Sequence, residues 1–126
     1  MSGSGAGAAG DSDAADDPDA VFDLLDDEYA RTILVATYRE PKSAEALAEA
    51  CDASESTVYR RVERLKDQRL LDADQRIDPD GHHHEVYAAS VQRVTVELTG
   101  DGIEIDVDRD EDAVDRFTRL YEGFKG

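Results

Sequence analysis

Ser54, Ser56, Thr57, Arg60, Arg61 and Arg64 lie within one short stretch that mixes hydroxyls with guanidinium groups. Hydroxyl and guanidinium donors of this kind bind phosphate oxygens and base edges. Val58, Val62 and Leu65 recur among them at i, i+4 and i+7, which predicts a helix with one apolar stripe. At about 100° per residue, Ser56, Thr57, Arg60 and Arg64 fall on the side away from that stripe. Ser54 is of the type that caps such a helix, its oxygen accepting from a free backbone N–H. The chemistry expected is non-covalent: a helix entering the major groove of double-stranded DNA. Tyr59 flanks the exposed side and suits either a phosphate or the core. The bland alternative for the arginines is a solvated face on which they pair with Glu63 and Asp67.

Other candidates are weaker. Ser43, Arg39 and Lys42 precede the neighbouring helix and Arg76 lies beyond the arginine stretch, each a candidate for a phosphate. His82, His83 and His84 are consecutive. On a strand their side chains alternate between faces, so the three cannot converge on one metal ion. A solvated loop or a DNA contact by His82 and His83 is the simpler expectation. Cys51 is the one cysteine, which excludes an intramolecular disulfide and fits a reducing cytoplasm. Its position suits a small apolar plug between two helices better than a metal or redox sensor. The carboxylates are abundant but unpatterned, and no nucleophile, base and orienting group fall together. Neither an enzyme nor a bound cofactor is expected.

The elements that must position the arginine stretch follow in order. Residues 1–17 are Gly, Ser, Ala and Asp with little apolar content and read as a disordered acidic tail. Asp17-Pro18-Asp19 starts a first helix carrying Val21, Phe22, Leu24 and Leu25. Asp26-Asp27-Glu28 opens a second, with Ala30, Ile33, Leu34, Thr37 and Tyr38 on one face, ended by Pro41. Ser43 caps a third that turns Ala44, Leu47 and Ala48 inward and runs out at Cys51-Asp52-Ala53. Asp52 stands where a turn between helices needs a positive φ. Third and fourth helices together make a helix-turn-helix. Strands from Leu70 to Ile77 and from His84 to Ala89, joined by Asp78-Pro79-Asp80-Gly81, add a wing.

On these residues, Leu47 to Leu65 resembles the helix-turn-helix core of ArsR-like prokaryotic regulators, and Leu24 to Leu34 is similar to the opening helices of haloarchaeal members. The resemblance spans roughly positions 20 to 90. It implies a DNA-binding transcriptional regulator, usually a homodimer on a palindromic site.

Beyond the wing, Val94, Val96 and Leu98 alternate with polar residues, as do Ile103, Ile105 and Val107, across Thr99-Gly100-Asp101-Gly102. This predicts a second hairpin with one apolar face. A last helix, capped by Asp108 or Asp110, would carry Val114, Phe117, Leu120, Tyr121 and Phe124 as a stripe. The expected class is therefore α+β: a winged helix-turn-helix over residues 18–90, then a hairpin and terminal α-helix over 91–126. That extension is assigned to dimerisation, with packing against its own domain as the alternative.

The net charge of −17 at a sequence pI near 4.3 runs against DNA binding. Counting along the chain gives 20 Asp and 11 Glu against 11 Arg and 3 Lys. An Asp-rich, Lys-poor composition resembles proteins of salt-accumulating halophilic archaea, in which dense screening makes such self-repulsion tolerable. Arg60, Arg61, Arg64, Lys66, Arg69 and Arg76 nevertheless make 60–76 the one net-positive region, and it coincides with the proposed recognition helix. The rival reading is a winged helix that binds a basic protein partner, which leaves that basic region unexplained. No stretch is apolar enough to span a membrane, so a cytoplasmic protein is expected.

Overall fold

Asp17 starts the first helix as its type dictates. In the computed structural model, which describes residues 17–110, its carboxylate accepts the Ala20 N–H at 3.3 Å, and α1 runs Pro18–Asp26. Asp27 repeats the device for α2 (Glu28–Arg39), accepting from Ala30 N–H at 2.8 Å. Pro41 then forces the preceding residue out of helical space, and Glu40 sits extended at φ −163° and ψ 156°. A two-residue strand follows, β1 (Lys42–Ser43), and then α3 (Ala44–Cys51), where the Ser43 hydroxyl accepts from Ala46 N–H at 3.2 Å.

The turn out of α3 is built on Asp52, left-handed at φ 54° and ψ 49°. Its N–H returns to Glu49 O and that of Ala53 to Ala48 O, which satisfies carbonyls the helix end would leave open. Two residues on, Ser54 accepts from Thr57 N–H at 3.2 Å and α4 (Glu55–Asp67) begins. Its far end uses the same closure. Leu70 N–H bonds Leu65 O and Arg69 N–H bonds Lys66 O, both at 2.9 Å, with Arg69 left-handed at φ 57°. Leu65 and Leu70, joined by this bond, are both fully buried. Arginine has no local means of easing a left-handed backbone, so Arg69→Gly should stabilise the fold by about 1 kcal/mol, read as a higher urea midpoint. A lower midpoint would contradict the assignment of strain to this residue.

Closing the helix at Leu70 means the next strand, β2 (Leu71–Ile77), starts one residue later than expected. It pairs antiparallel with β3 (His83–Ala89), from Leu71 opposite Ala89 to Ile77 opposite His83. β1 adds to the other edge of β3, with Lys42 opposite Tyr87 and Ser43 opposite Val86, giving the order β1-β3-β2. Two residues carry no periodicity, which is why the sequence did not announce β1.

Among the described residues one core joins these parts. Leu24, Ala30, Ile33, Leu47, Val58, Val62, Leu65, Leu70 and Tyr87 are at most 2% exposed, and the helices lie against the sheet through them. Thr37 is buried among them with its hydroxyl donating to Ile33 O at 2.7 Å, so its polar atom is satisfied within its own helix.

The expected second hairpin is present as β4 (Val91–Thr99) and β5 (Gly102–Arg109). Its foot joins the domain: Val107 is buried, Val91 and Val94 pack against the core, and Asp110 N–H bonds Ser90 O at 2.6 Å. β5 continues through Asp108, which lies opposite Arg93 with a 3.2 Å ion pair. Asp108 is thus a strand residue and not a helix cap. The molecule is a winged helix-turn-helix with a C-terminal hairpin. The acidic tail to residue 16 and the expected terminal helix, with Val114, Phe117, Leu120, Tyr121 and Phe124, lie outside the described residues.

Candidate nucleic-acid interface

The apolar stripe of α4 decides which of its side chains face outward. Val58, Val62 and Leu65 are fully buried, while Ser54, Ser56, Arg60, Glu63, Arg64 and Asp67 are exposed and Thr57 is half-buried. Arg60 and Arg64 make no hydrogen bond or ion pair among the described residues. One turn apart, they stand about 6 Å from each other along the helix axis, a little under two base steps of about 3.4 Å. At the N-terminal end the Ser54 hydroxyl lies 3.1 Å from that of Ser56 and 3.0 Å from that of Thr57. Tyr59 is 47% exposed beside them. The outward face therefore offers hydroxyls at its start and two arginines along it, interrupted by Glu63 and Asp67.

Arg61 departs from the sequence-based expectation of a DNA contact. Its Nε donates to Asp27 Oδ2 at 2.9 Å and its Nη2 to Asp27 Oδ1 at 3.2 Å, while the guanidinium carbon lies 5.4 Å from the Tyr29 ring centre. The fork is occupied, and Arg61 ties α4 to the N-terminus of α2. Asp27 serves two purposes, capping α2 and receiving Arg61. The Arg61 hydrogen bonds hold its carboxyl below the usual range, with the Ala30 N–H and the charges of Arg61 and Arg64 adding, against partial burial. Because the folded value is depressed, the pair stabilises the fold above the ordinary Asp range near 3.9 and loses that contribution as pH falls through the lowered value. Asp27→Asn keeps a capping oxygen and removes the charge. Wild type should accordingly lose stability more steeply than Asp27→Asn on acidification below about pH 4, measured as urea midpoints; parallel curves would contradict the pairing.

The wing carries less free positive charge than its residues suggest. Arg76 Nε lies 3.4 Å from Asp74 Oδ2. At the tip, Asp78 Oδ1 accepts from Asp80 N–H at 3.0 Å and His82 N–H at 2.9 Å, and His82 Nδ1 stands 3.8 Å from Asp78 Oδ2. One ligand atom from each of Asp78, Asp80 and His82 falls within 4.8 Å of the others, in an open turn. Only His82 of the three histidines belongs to that group. His83 and His84 are exposed on β3, opposite Ile77 and Arg76. Two carboxylates at the tip make it a poor clamp for phosphate.

Before α3, Ser43 is used as a cap, Lys42 pairs with Glu40 at 2.8 Å and Arg39 is exposed. Glu45, Glu49, Asp52 and Glu55 line a surface cleft between α3 and the start of α4, so negative charge borders the interface on that side. Cys51 is half-buried against the core with its thiol 3.8 Å from Tyr29 O. Burial pushes that thiol up and Asp27 adds to the effect, with Arg61 opposing, the direction opposite to that of an activated thiolate.

One residue that bears on the interface escaped the sequence reading. Arg109, at the end of β5, donates from Nε to Arg69 O at 2.9 Å and from Nη2 to Gln68 O at 3.0 Å. A cation is thereby placed at the negative end of the α4 dipole, where it is favourable. Ser90 Oγ donates to the same Arg69 carbonyl at 3.0 Å. The C-terminal hairpin thus holds the end of α4. Only the left-handed residue at 69 hints at a helix end that needs support, and nothing local points to a residue 40 positions away.

A protein-family model described as a helix-turn-helix domain matches residues 25–72, from the end of α1 through α4 into β2. Comparison with curated proteins finds no match. The chain thus carries a helix-turn-helix domain, the kind of domain DNA-binding transcription regulators use, and α4 is its second helix. Among the described residues no helix is long and apolar enough to cross a membrane.

Proposed function

We propose that this protein is a sequence-specific, double-stranded-DNA-binding transcriptional regulator of the ArsR-like kind, working in a cytoplasm of high ionic strength and without catalytic activity or cofactor. The observation that carries the reading is α4: one face is locked into the core while Ser56, Arg60 and Arg64 stand exposed on the other. In this reading α4 enters the major groove, Arg60 and Arg64 read base edges, and Ser54, Ser56 and Thr57 meet phosphates. The wing lies along the flanking backbone and contributes little attraction. Two copies bind two half-sites as a homodimer.

Salt fits this picture. At about 1 M the Debye length falls to about 3 Å, so the repulsion between DNA and a chain of charge −17 is largely screened. Counterion release gives little at that concentration, which leaves base contacts and shape to supply the affinity. The test is selection from random-sequence duplexes in near-molar KCl. A single enriched motif with two related half-sites is expected; a pool that stays random would contradict the proposal.

A further inference from the structure

The outward face of α4 carries acid as well as base. Ser56, Arg60, Glu63 and Asp67 recur at i, i+4, i+7 and i+11, which sets them on one stripe opposite the buried Val58, Val62 and Leu65. All four are exposed, and Arg64 stands at the edge of the stripe. With α4 in the major groove, this stripe is the part of the helix nearest the base edges, so Glu63 enters the groove together with Arg60. Arg60 lies three residues before Glu63, within reach of a pair on the helix surface, yet it makes no ion pair among the described residues. The partner Glu63 has is Lys66, whose Nζ stands 3.7 Å from Oε2, too far for a hydrogen bond. Lys66 thus offsets the charge and leaves the acceptor oxygens of Glu63 open.

The major groove offers a carboxylate few partners. Guanine N7 and O6 and thymine O4 are acceptors, while cytosine N4 and adenine N6 are amino donors. A carboxylate only accepts. Beside adenine N6 stands the N7 acceptor, which repels the second carboxylate oxygen, whereas cytosine has no acceptor on its major-groove edge. Cytosine therefore satisfies Glu63 without an opposing contact. From Arg60 to Glu63 the helix rises about 4.5 Å, between one and two base steps of about 3.4 Å. Asp67 is less well placed, since it is the last residue of α4 and recognition helices read bases mainly from their N-terminal part.

We infer that Glu63 is a specificity-determining residue, accepting a hydrogen bond from the N4 amino group of a cytosine one or two base pairs from the guanine bound by Arg60. The assignment rests on the proposed docking of α4 and deepens it by naming a base the site requires. Glu63 acts chiefly by exclusion. Opposite thymine, O4 and the carboxylate face each other with no proton between them, and both are left desolvated. At about 1 M KCl the phosphates are screened beyond about 3 Å, while a direct contact is affected far less. An acidic reader is therefore compatible with DNA binding at that salt.

The experiment is selection from random duplexes in near-molar KCl with the full chain, Glu63→Gln and Asp67→Asn. Titrations follow on the duplex selected by wild type and on its C·G→T·A variant at the cytosine. Wild type should lose about 5-fold to 150-fold in affinity on that base change. Glutamine is isosteric and a comparable helix former, so Glu63→Gln should keep the urea midpoint. It should exchange the cytosine for adenine, which glutamine binds at N6 and N7, and bind the T·A duplex more tightly than wild type does. A cytosine preference that Glu63→Gln retains, or a wild-type motif without one, would overturn the inference and leave α4 as the reading element. Loss of the preference in Asp67→Asn but not in Glu63→Gln would overturn it likewise. A wild-type pool that stays random would overturn the proposed function, and this assignment with it.

Discussion

Replacing Arg60 and Arg64 together with alanine should abolish most sequence-specific affinity while leaving the fold intact. Each good base contact contributes about 1–3 kcal/mol of discrimination. Losing two therefore weakens binding at one half-site by about 30-fold to 10⁴-fold. Both side chains are exposed and make no hydrogen bond or ion pair among the described residues, and alanine is the stronger helix former, so the unfolding midpoint should hardly move. The measurement is a titration of the selected duplex against the double variant in near-molar KCl, with a urea curve alongside. Arg61→Ala should behave in the opposite way. It leaves the Asp27 carboxylate without its two guanidinium bonds, so its first effect is a lower urea midpoint. Near wild-type affinity for the double variant would remove α4 as the reading element.

The largest effect on stability is expected from Leu65→Ala. Leu65 is fully buried in the middle of the core cluster, and its carbonyl receives the Leu70 N–H that closes α4. Truncating a buried leucine removes its transfer energy and leaves a cavity, a loss of about 2–5 kcal/mol. Against a total stability of about 5–15 kcal/mol for a domain, that is a large fraction. Urea unfolding should show a midpoint lowered to match, with Arg60→Ala as a control that stays within about 0.5 kcal/mol of wild type. A loss below about 1 kcal/mol would mean that the site collapses around the gap and that α4 is held by other means.

How much of this was legible in the sequence follows from the range of the interactions. Asp17, Ser43 and Ser54 act on backbone groups three residues away, so their types and positions announce the helix starts. Asp52 was readable for the same reason, since the need for a left-handed residue is local. Binary pattern placed Val58, Val62 and Leu65 inside and Arg60 and Arg64 outside. It failed on Arg61, which sits at the edge of the stripe, where the pattern leaves the direction open. What turns it inward is Asp27, 34 residues earlier. Arg109 was invisible for a like reason, because its partners are carbonyls far away in the chain. The wing was recognised as a hairpin, but composition alone could not show that Arg76, a candidate for a phosphate, stands 3.4 Å from Asp74 or that Asp78 accepts the His82 N–H at the tip.

The central claim is that α4 lies in the major groove, and methylation interference on the selected duplex tests it most directly. Methyl groups at guanine N7 project into the major groove, where an arginine would bind O6 and N7. Those at adenine N3 project into the minor groove. The account predicts that N7 methylation within each half-site blocks wild-type binding, and that this interference is lost with Arg60→Ala/Arg64→Ala. Interference confined to adenine N3, or unaffected by the two substitutions, would contradict it.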